Sequence, residues 1–192
     1  MVPACQKPRA SIQAGGSMVR FWRRDRGAIA DLARLLSGDD ASLLAEVTLA
    51  TERPRDYIAR FAETLRWRGI DARSYEAREL PWIALVDGLI ARKGVQEIDW
   101  RATGDELADA LATIAGDEDW GWLASDEWRA KTADERFAAI ETRLAPKRLA
   151  LVSVDIGGDC YPLMVLPLDR VAEAGVLAKR AGYGRIIPAR EA

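Results

Sequence analysis

The stretch that most restricts the fold of this chain is the segment 149–188, because two β-rich runs, a turn and a helical run follow one another there without interruption. The first run alternates over Leu149–Ile156 and stops at Gly157-Gly158-Asp159. The second run follows at once over Cys160–Leu166. Because glycine reaches the positive φ angles of a tight turn, two β-rich runs around a Gly-Gly pair predict an antiparallel hairpin.

The remainder of this segment changes to helical spacing and then back to a β-rich pattern. The run Leu168–Ala181 places Ala174 and Ala178 on one side of a helix. Gly182 is suited to a left-handed C-cap, and Tyr183–Ile187 can return as a short strand. We therefore predict a C-terminal strand–strand–helix–strand unit.

The chain that precedes this unit is mostly helical in the spacing of its apolar residues. We predict six helices before the hairpin. Three of them have apolar spacing over Arg26–Ser37, from Pro54 to Gly69 and over Leu80–Lys93, and the other three begin after the cap at Asp39-Asp40 and after the capping boxes at Thr103 and Thr132. One strand is predicted over Val95–Trp100. Because several helices come before the hairpin, the order of elements predicts a segregated α+β fold. In this fold, helices pack on a small, mostly antiparallel sheet.

Charge divides the chain into a basic start and an acidic remainder. Residues 1–26 hold six basic residues against Asp25 alone, although the net charge of the whole chain is −2. We interpret residues 1–25 as a disordered basic tail, with translation starting at Met1 or Met18, and residues 26–192 as one α/β domain. Since the acidic remainder would repel phosphate, we expect the cluster 20–26 not to bind nucleic acid.

Composition argues against several classes of protein. The chain has no histidine, which excludes histidine-dependent catalytic triads, histidine zinc ligands and histidine pH switches. Its two cysteines make no disulfide framework and favour a reducing compartment, so we predict a cytoplasmic protein. Its apolar runs are far shorter than the roughly 20 residues of a membrane helix. Phosphate-binding glycine loops and the nucleophile elbow are missing, and we predict neither a membrane span nor a cofactor.

The least ordinary segment is Gly116–Trp128, which combines acidic and aromatic residues between two predicted helices and holds no basic residue. The ordinary explanation is that its acids are solvated and its tryptophans pack back on the core. The functional alternative is a surface that docks a basic protein, because tryptophan is enriched at interface hot spots and acidic surroundings speed the encounter. On this hypothesis the contact residues are Asp117, Glu118, Asp119, Trp120, Trp122, Asp126, Glu127 and Trp128.

The hairpin turn is a second candidate site. Asp155 and Asp159 flank the Gly-Gly pair and could hold a divalent cation or act as an acid–base pair, and with Asp99 they could serve a small metal-dependent hydrolase. Turn hydrogen bonds are their more ordinary role. We interpret Cys160, which has no histidine to activate it, as a buried inert thiol. We place Glu97 and Asp99 on the solvated face of an edge strand.

Three runs, taken in order, resemble a known family: Pro81–Asp87 (PWIALVD), Glu97–Trp100 (EIDW) and Gly158–Leu163 (GDCYPL). They are similar to the bacterial domain of unknown function 6630 family, over roughly residues 29–187. This resemblance implies a small α/β protein and supplies no catalytic residues. The chain is also similar in its gross character to bacterial immunity proteins, which are small acidic α/β domains that neutralise toxins.

These patterns favour a non-catalytic protein-binding domain, in one form an immunity-type inhibitor of a basic partner. The alternative is the hydrolase that would use Asp155, Asp159 and Asp99. The two classes differ in what a structure should show. An enzyme should gather several polar side chains around one concave pocket with a shifted pKa, whereas a binding domain should expose a tryptophan-bearing patch with an acidic rim.

Overall fold

The structure is a computed structural model that describes residues 25–70, 79–99, 101–116, 119–157, 160–182 and 185–191. The tail assigned to residues 1–25 therefore lies outside the described residues except for Asp25, and so do Trp100, Asp117, Glu118 and Asp159.

The first half of the chain is helical, as the apolar spacing predicts. Its helices are α1 (Arg26–Ser37), α2 (Ala41–Glu52), α3 (Pro54–Arg60), α4 (Ala62–Trp67) and α5 (Leu80–Ala91), and strand β1 (Gln96–Asp99) follows them. Side-chain caps fix where the first two helices begin. The carboxylate of Asp25 accepts hydrogen bonds from the first amides of α1, and that of Asp40 accepts one from Leu43 in α2.

The predicted third helix is two helices, because the backbone leaves helical geometry at Phe61 (φ −110°, ψ 24°). The hydrogen bonds from Phe61 to Tyr57 and from Leu65 to Phe61 persist, so the chain bends there and does not stop. Tyr57 and Leu65 are both buried in the core, while Phe61 is only partly buried against it. The bend thus accompanies the burial of one apolar side chain from each of the two short helices.

The second half contains the predicted strand–strand–helix–strand unit. Its elements are α6 (Gly104–Ile114), a 3₁₀ turn (Gly121–Ala124), α7 (Asp126–Arg129), α8 (Ala133–Leu144), β2 (Leu149–Asp155), β3 (Cys160–Pro167), α9 (Leu168–Ala181) and β4 (Arg185–Pro188). Both predicted capping boxes are present, one at Thr103 with Glu106 and the other at Thr132 with Glu135. Gly182 is the left-handed C-cap of α9, as predicted.

The four strands form one antiparallel sheet in the order β1-β3-β2-β4. The hairpin occupies its centre, where Val152 of β2 faces Met164 of β3. The return strand β4 pairs with the other side of β2, and β1 pairs with the outer side of β3. The predicted α+β fold and antiparallel sheet are therefore confirmed.

Helices cover both faces of this sheet and create two hydrophobic cores. The first core joins α1, α2, α5 and α9 to the side chains of Val152, Val154 and Met164. The second core joins α6, the 3₁₀ turn and α8 to the opposite face, which carries Leu151 and Leu163. Because side chains alternate along a strand, β2 contributes to both cores and is buried from residue 151 to residue 154.

Helix α5 is the most completely buried helix of the first core, with nine buried residues out of twelve. Its first turn contains Pro81. Backbone N–H groups in the first turn have no acceptor within the helix, so proline, which has no N–H, costs no hydrogen bond there. Across the described ranges, no helix combines the length and the apolar content needed to cross a membrane.

Candidate functional site

The segment 119–128 is a 3₁₀ turn followed by the short helix α7, and it lies against the start of α6. Its three tryptophans differ in burial. Trp120 is only 3% exposed and belongs to the second core, so its ring does not lie on the surface that the sequence predicts. Trp122 and Trp128 are half-buried and remain available to that surface.

The half-buried tryptophans form an edge-to-face pair. The ring centroids of Trp122 and Trp128 are 4.7 Å apart at an interplanar angle of 77°. The guanidinium of Arg143 lies 5.6 Å from the centroid of the Trp122 ring, within the range of a cation–π contact. The indole N–H of Trp122 is buried and has no hydrogen-bond acceptor among the described residues. The pair is therefore well packed but keeps one polar group unsatisfied.

Three of the five predicted acidic residues are described, and all three are exposed. Asp119 accepts a hydrogen bond from the backbone N–H of Gly121 at 2.9 Å, which shapes the entry to the 3₁₀ turn. The Asp126 side chain is 97% exposed and forms an ion pair with Arg129 at 3.1 Å. Glu127 is exposed beside it. Asp117 and Glu118 lie outside the described residues.

Arg136 of α8 holds this segment in place. Its guanidinium donates hydrogen bonds to the backbone carbonyls of Trp128 at 3.1 Å, Arg129 at 3.1 Å and Ala102 at 3.0 Å. It thereby ties the end of α7 to the loop before α6. Sequence reasoning missed Arg136, because nothing in an arginine at the end of the first turn of an amphipathic helix indicates contacts with distant carbonyls.

A close backbone contact holds the other end of the segment. A Cβ atom on Gly104 would lie 1.9 Å from the carbonyl oxygen of Leu123. The 3₁₀ turn can therefore touch the first turn of α6 only because residue 104 has no side chain. The three hydrogen bonds from Arg136 to backbone carbonyls form what we call the carbonyl clamp. This clamp and the contact at Gly104 together fix the backbone that carries the Trp122–Trp128 pair.

A cavity of about 580 Å³ lies between strand β1, the start of α6 and the start of α8. Its apolar wall includes Ile98, Leu107, Phe137 and Tyr161, and the rings of Phe137 and Tyr161 meet edge to face at 5.5 Å. Its polar wall is formed by the side chains of Arg101, Arg129, Lys131, Arg136, Asp99 and Asp105. The first residues of α6 and α8, Gly104 and Ala133, also line it.

The carboxylates proposed for a hydrolase serve turns and ion pairs. Asp155 accepts a hydrogen bond from the backbone N–H of Gly157 at 2.7 Å and pairs with Arg185 at 2.6 Å. Asp99 accepts one from the backbone N–H of Arg101 at 2.8 Å. Strand β3 separates the strands that carry Asp155 and Asp99, and Asp159 lies outside the described residues. Within the described ranges, no three Asp, Glu or Cys side chains are grouped to hold a metal ion.

Two interpretations of single residues need correction. Cys160 is disulfide-bonded and is not the inert thiol that the sequence predicts, and Cys5, the other cysteine of the chain, lies outside the described residues. Glu97 does not face solvent with Asp99. Its side chain is only 15% exposed and pairs with Arg68 at 2.8 Å, because it points into the first-core side of the sheet, where α4 and α5 pack.

The cluster that Glu97 joins was not predicted. The guanidinium of Arg68, after α4, donates a hydrogen bond to Asp87 of α5 and also contacts Glu97 of β1. The second carboxylate oxygen of Asp87 is buried and has no hydrogen-bond partner among the described residues. The signal available in the sequence was Asp87 itself, a charged residue within the apolar helix α5.

Burial of this cluster changes the acidity of its members. It raises the pKa of Asp87 to about 6, although the guanidinium of Arg68 opposes the change. It also raises the pKa of the buried Tyr57 hydroxyl, an effect to which the charge of Asp87 adds. One arginine thus faces two carboxylates in the first core, away from the cavity and from the Trp122–Trp128 pair.

Comparison with known proteins places the chain in a family. A family model described as Domain of unknown function (DUF6630) matches residues 28–189, which confirms the resemblance found in the sequence. Neither curated proteins nor solved structures gave a match.

Proposed function

Because this chain belongs to the DUF6630 family, whose description states no activity, we propose a function from its geometry: a non-catalytic domain that docks a basic protein on the Trp122–Trp128 pair. The observation that carries this proposal is the edge-to-face contact of these two half-buried rings at 4.7 Å, on a backbone segment fixed at both ends.

Rigid aromatic side chains make good contact residues. Tryptophan buries a large area while few rotatable bonds become ordered, and it dominates the energetics of many interfaces. The clamp by Arg136 orders the pair before a partner arrives, which lowers the entropic cost of association.

The acidic residues of the segment favour a basic partner. Asp119, Asp126 and Glu127 are exposed in the same short segment as the two rings. Exposed charges of this kind act mainly on the rate of encounter, and salt screens their effect. Trp120 supports the surface from the second core and does not contact the partner. An inhibitor of the immunity type is one form that this function would take.

A hydrolase has less support from the geometry. Asp155 and Asp99 are engaged in turn hydrogen bonds, and the buried carboxyl of raised pKa, Asp87, lies on the opposite side of the sheet from the cavity. The chain has no histidine to act as a general base. Of the proposed carboxylates that the structure describes, Asp99 lines the cavity and Asp155 does not, so these two are not brought together there.

The test is affinity capture from a lysate of the organism that encodes the chain. Immobilised wild type is compared with a Trp122→Ala/Trp128→Ala double variant and with Trp67→Ala, which removes a tryptophan that is 64% exposed on α4. Each variant is first checked for folding by circular dichroism. We expect wild type and the Trp67→Ala variant to retain the same basic protein, and the double variant to lose it.

A second variant tests the charges. Asp119→Asn/Asp126→Asn/Glu127→Gln should weaken binding of the captured protein about tenfold at low salt, and the difference from wild type should shrink at high salt. Equal retention by the folded double variant, or an affinity that does not respond to salt, would refute this docking surface.

A further inference from the structure

The cavity beside the 119–128 segment has the opposite charge from the proposed docking surface. Four basic side chains line it, from Arg101, Arg129, Lys131 and Arg136, against the two carboxylates of Asp99 and Asp105. We propose that this cavity is a second binding site. Its ligand is a small molecule in which a phosphate or carboxylate group is attached to a flat apolar ring.

Arg136 supplies a fixed positive charge to this site. All three of its donor nitrogens already bond to backbone carbonyls, which orient the guanidinium but do not neutralise it. Its position therefore does not depend on a ligand. A charge that is ordered in advance attracts an anion without the entropic cost of immobilising a long side chain.

Arg129 and Lys131 supply charges that can turn towards a ligand. Arg129 pairs with Asp126 at 3.1 Å, and Lys131 pairs with Glu135 at 3.2 Å. Both pairs are solvent-exposed, and exposed ion pairs contribute only about 0–1 kcal/mol. An anion in the cavity can replace either carboxylate at little cost.

Backbone amides of two helices add to the positive potential. Gly104 and Ala133 are the first residues of α6 and α8, so their N–H groups have no acceptor within the helix. The capping boxes engage the amides of Thr103, Glu106, Thr132 and Glu135, and they leave these two amides unused. Both residues line the cavity.

The apolar wall specifies the rest of the ligand. Phe137 and Tyr161 hold each other edge to face, and Ile98 and Leu107 extend the same wall. A flat ring can pack there while its anionic group reaches the basic side chains. The volume of about 580 Å³ lies within the range of small-molecule sites, roughly 300–1,000 Å³.

The experiment titrates the full chain with three probes: inorganic phosphate, phenyl phosphate and benzyl alcohol. Binding is followed by the amide NMR signals of Gly104 and Ala133. We expect phenyl phosphate to bind at least tenfold more tightly than inorganic phosphate, and benzyl alcohol to bind more weakly than both. Weak, equal responses to all three probes would overturn the proposal.

Variants locate the binding. Arg129→Ala/Lys131→Ala should weaken phenyl phosphate at least tenfold, while Asp105→Asn, which removes a carboxylate from the wall, should tighten it. The control is Arg53→Ala/Arg190→Ala, because both arginines are exposed and ion-paired but lie outside the cavity. If the control weakens binding as much as the first pair, or if Asp105→Asn has no effect, the anion is held by the general charge of the protein and not by this cavity.

This test is independent of the proposed docking surface. A failure to bind phenyl phosphate would overturn the cavity proposal alone, because binding of the captured protein is measured separately.

Discussion

Arg68 donates a hydrogen bond to Asp87 across the contact between the end of α4 and α5, and the two side chains are only 8% and 12% exposed. The same guanidinium contacts Glu97 on the edge strand β1. One positive charge therefore connects two helices to the sheet inside the first core. Such a cluster is sensitive to the loss of any member, because the remaining charges stay buried.

The first prediction concerns the arginine of this cluster. Arg68→Met should lower the free energy of unfolding by about 3–5 kcal/mol, because it leaves two buried carboxylates without a counter-charge. Chemical denaturation measures the loss. Arg53→Met is the matched control, since its ion pair with Asp56 is exposed and should contribute less than about 1 kcal/mol. A loss at Arg68 as small as that of the control would contradict the prediction.

The second prediction concerns pH. The pKa of Asp87 is raised to about 6 in the folded protein, so between its unfolded value and pH 6 the folded state binds a proton that the unfolded state does not. The stabilisation that this bound proton gives the folded state is fully present below the pKa of Asp87 in the unfolded chain, and it is lost as pH rises through 6. The stability of wild type relative to Asp87→Asn should therefore fall between pH 4 and pH 7, on the order of 2 kcal/mol.

Denaturation of both proteins at several pH values measures this difference. Asp31→Asn is the control for the Asp-to-Asn substitution itself, because Asp31 is an exposed residue on α1. A relative stability of the Asp87→Asn variant that stays constant would contradict a raised pKa of Asp87, and one that changes in the opposite direction would show that Arg68 lowers this pKa.

The third prediction compares two helical glycines. Gly104→Ala should destabilise the protein by about 2 kcal/mol, since the new Cβ atom would overlap the carbonyl oxygen of Leu123. Gly175→Ala in α9 should instead stabilise it by up to about 1 kcal/mol, because its Cβ would lie at an ordinary 3.7 Å from the nearest atom and alanine favours a helix. Thermal unfolding distinguishes the two signs, and equal effects would contradict the close contact at Gly104.

The fourth prediction concerns the carbonyl clamp. Arg136→Gln should cost about 2 kcal/mol and broaden or shift the indole NMR signals of Trp122 and Trp128, because three backbone carbonyls lose a charged donor. Arg170→Gln is the control, since Arg170 bonds to one backbone carbonyl among the described residues, that of Leu35. Indole signals that remain as in wild type would mean that the contact at Gly104 suffices to hold the segment.

Local chemistry made much of the fold predictable. The bounds of α1 match their prediction, and both capping boxes form, because a cap needs only residues that are close in sequence. The hairpin follows from the glycine pair for the same reason. The break at Phe61 was not predictable from spacing, since the apolar positions of α3 and α4 continue one helical pattern and the bend depends on what each helix packs against.

Long-range contacts account for what the sequence did not reveal. The half-burial of Trp122 and the full burial of Trp120 depend on which face of the sheet α6 and α8 cover, and no local pattern encodes that choice. The contacts of Arg68 and Arg136 join residues that are distant in sequence. Of the candidate site, the sequence indicated the segment but not the clamp, the close contact or the cavity.

The position of β1 at the edge of the sheet has a consequence for the order of folding. Strands β2 and β3 are consecutive, whereas β1 must reach β3 across α6, α7 and α8, so that Gln96 can face Leu163. Closing so long a loop costs more entropy than closing the hairpin, and we expect β1 to dock after β2 and β3 have paired. Until it docks, the outer edge of β3 offers unpaired backbone groups to other chains, which makes this interval the one in which a newly made molecule is most prone to aggregate.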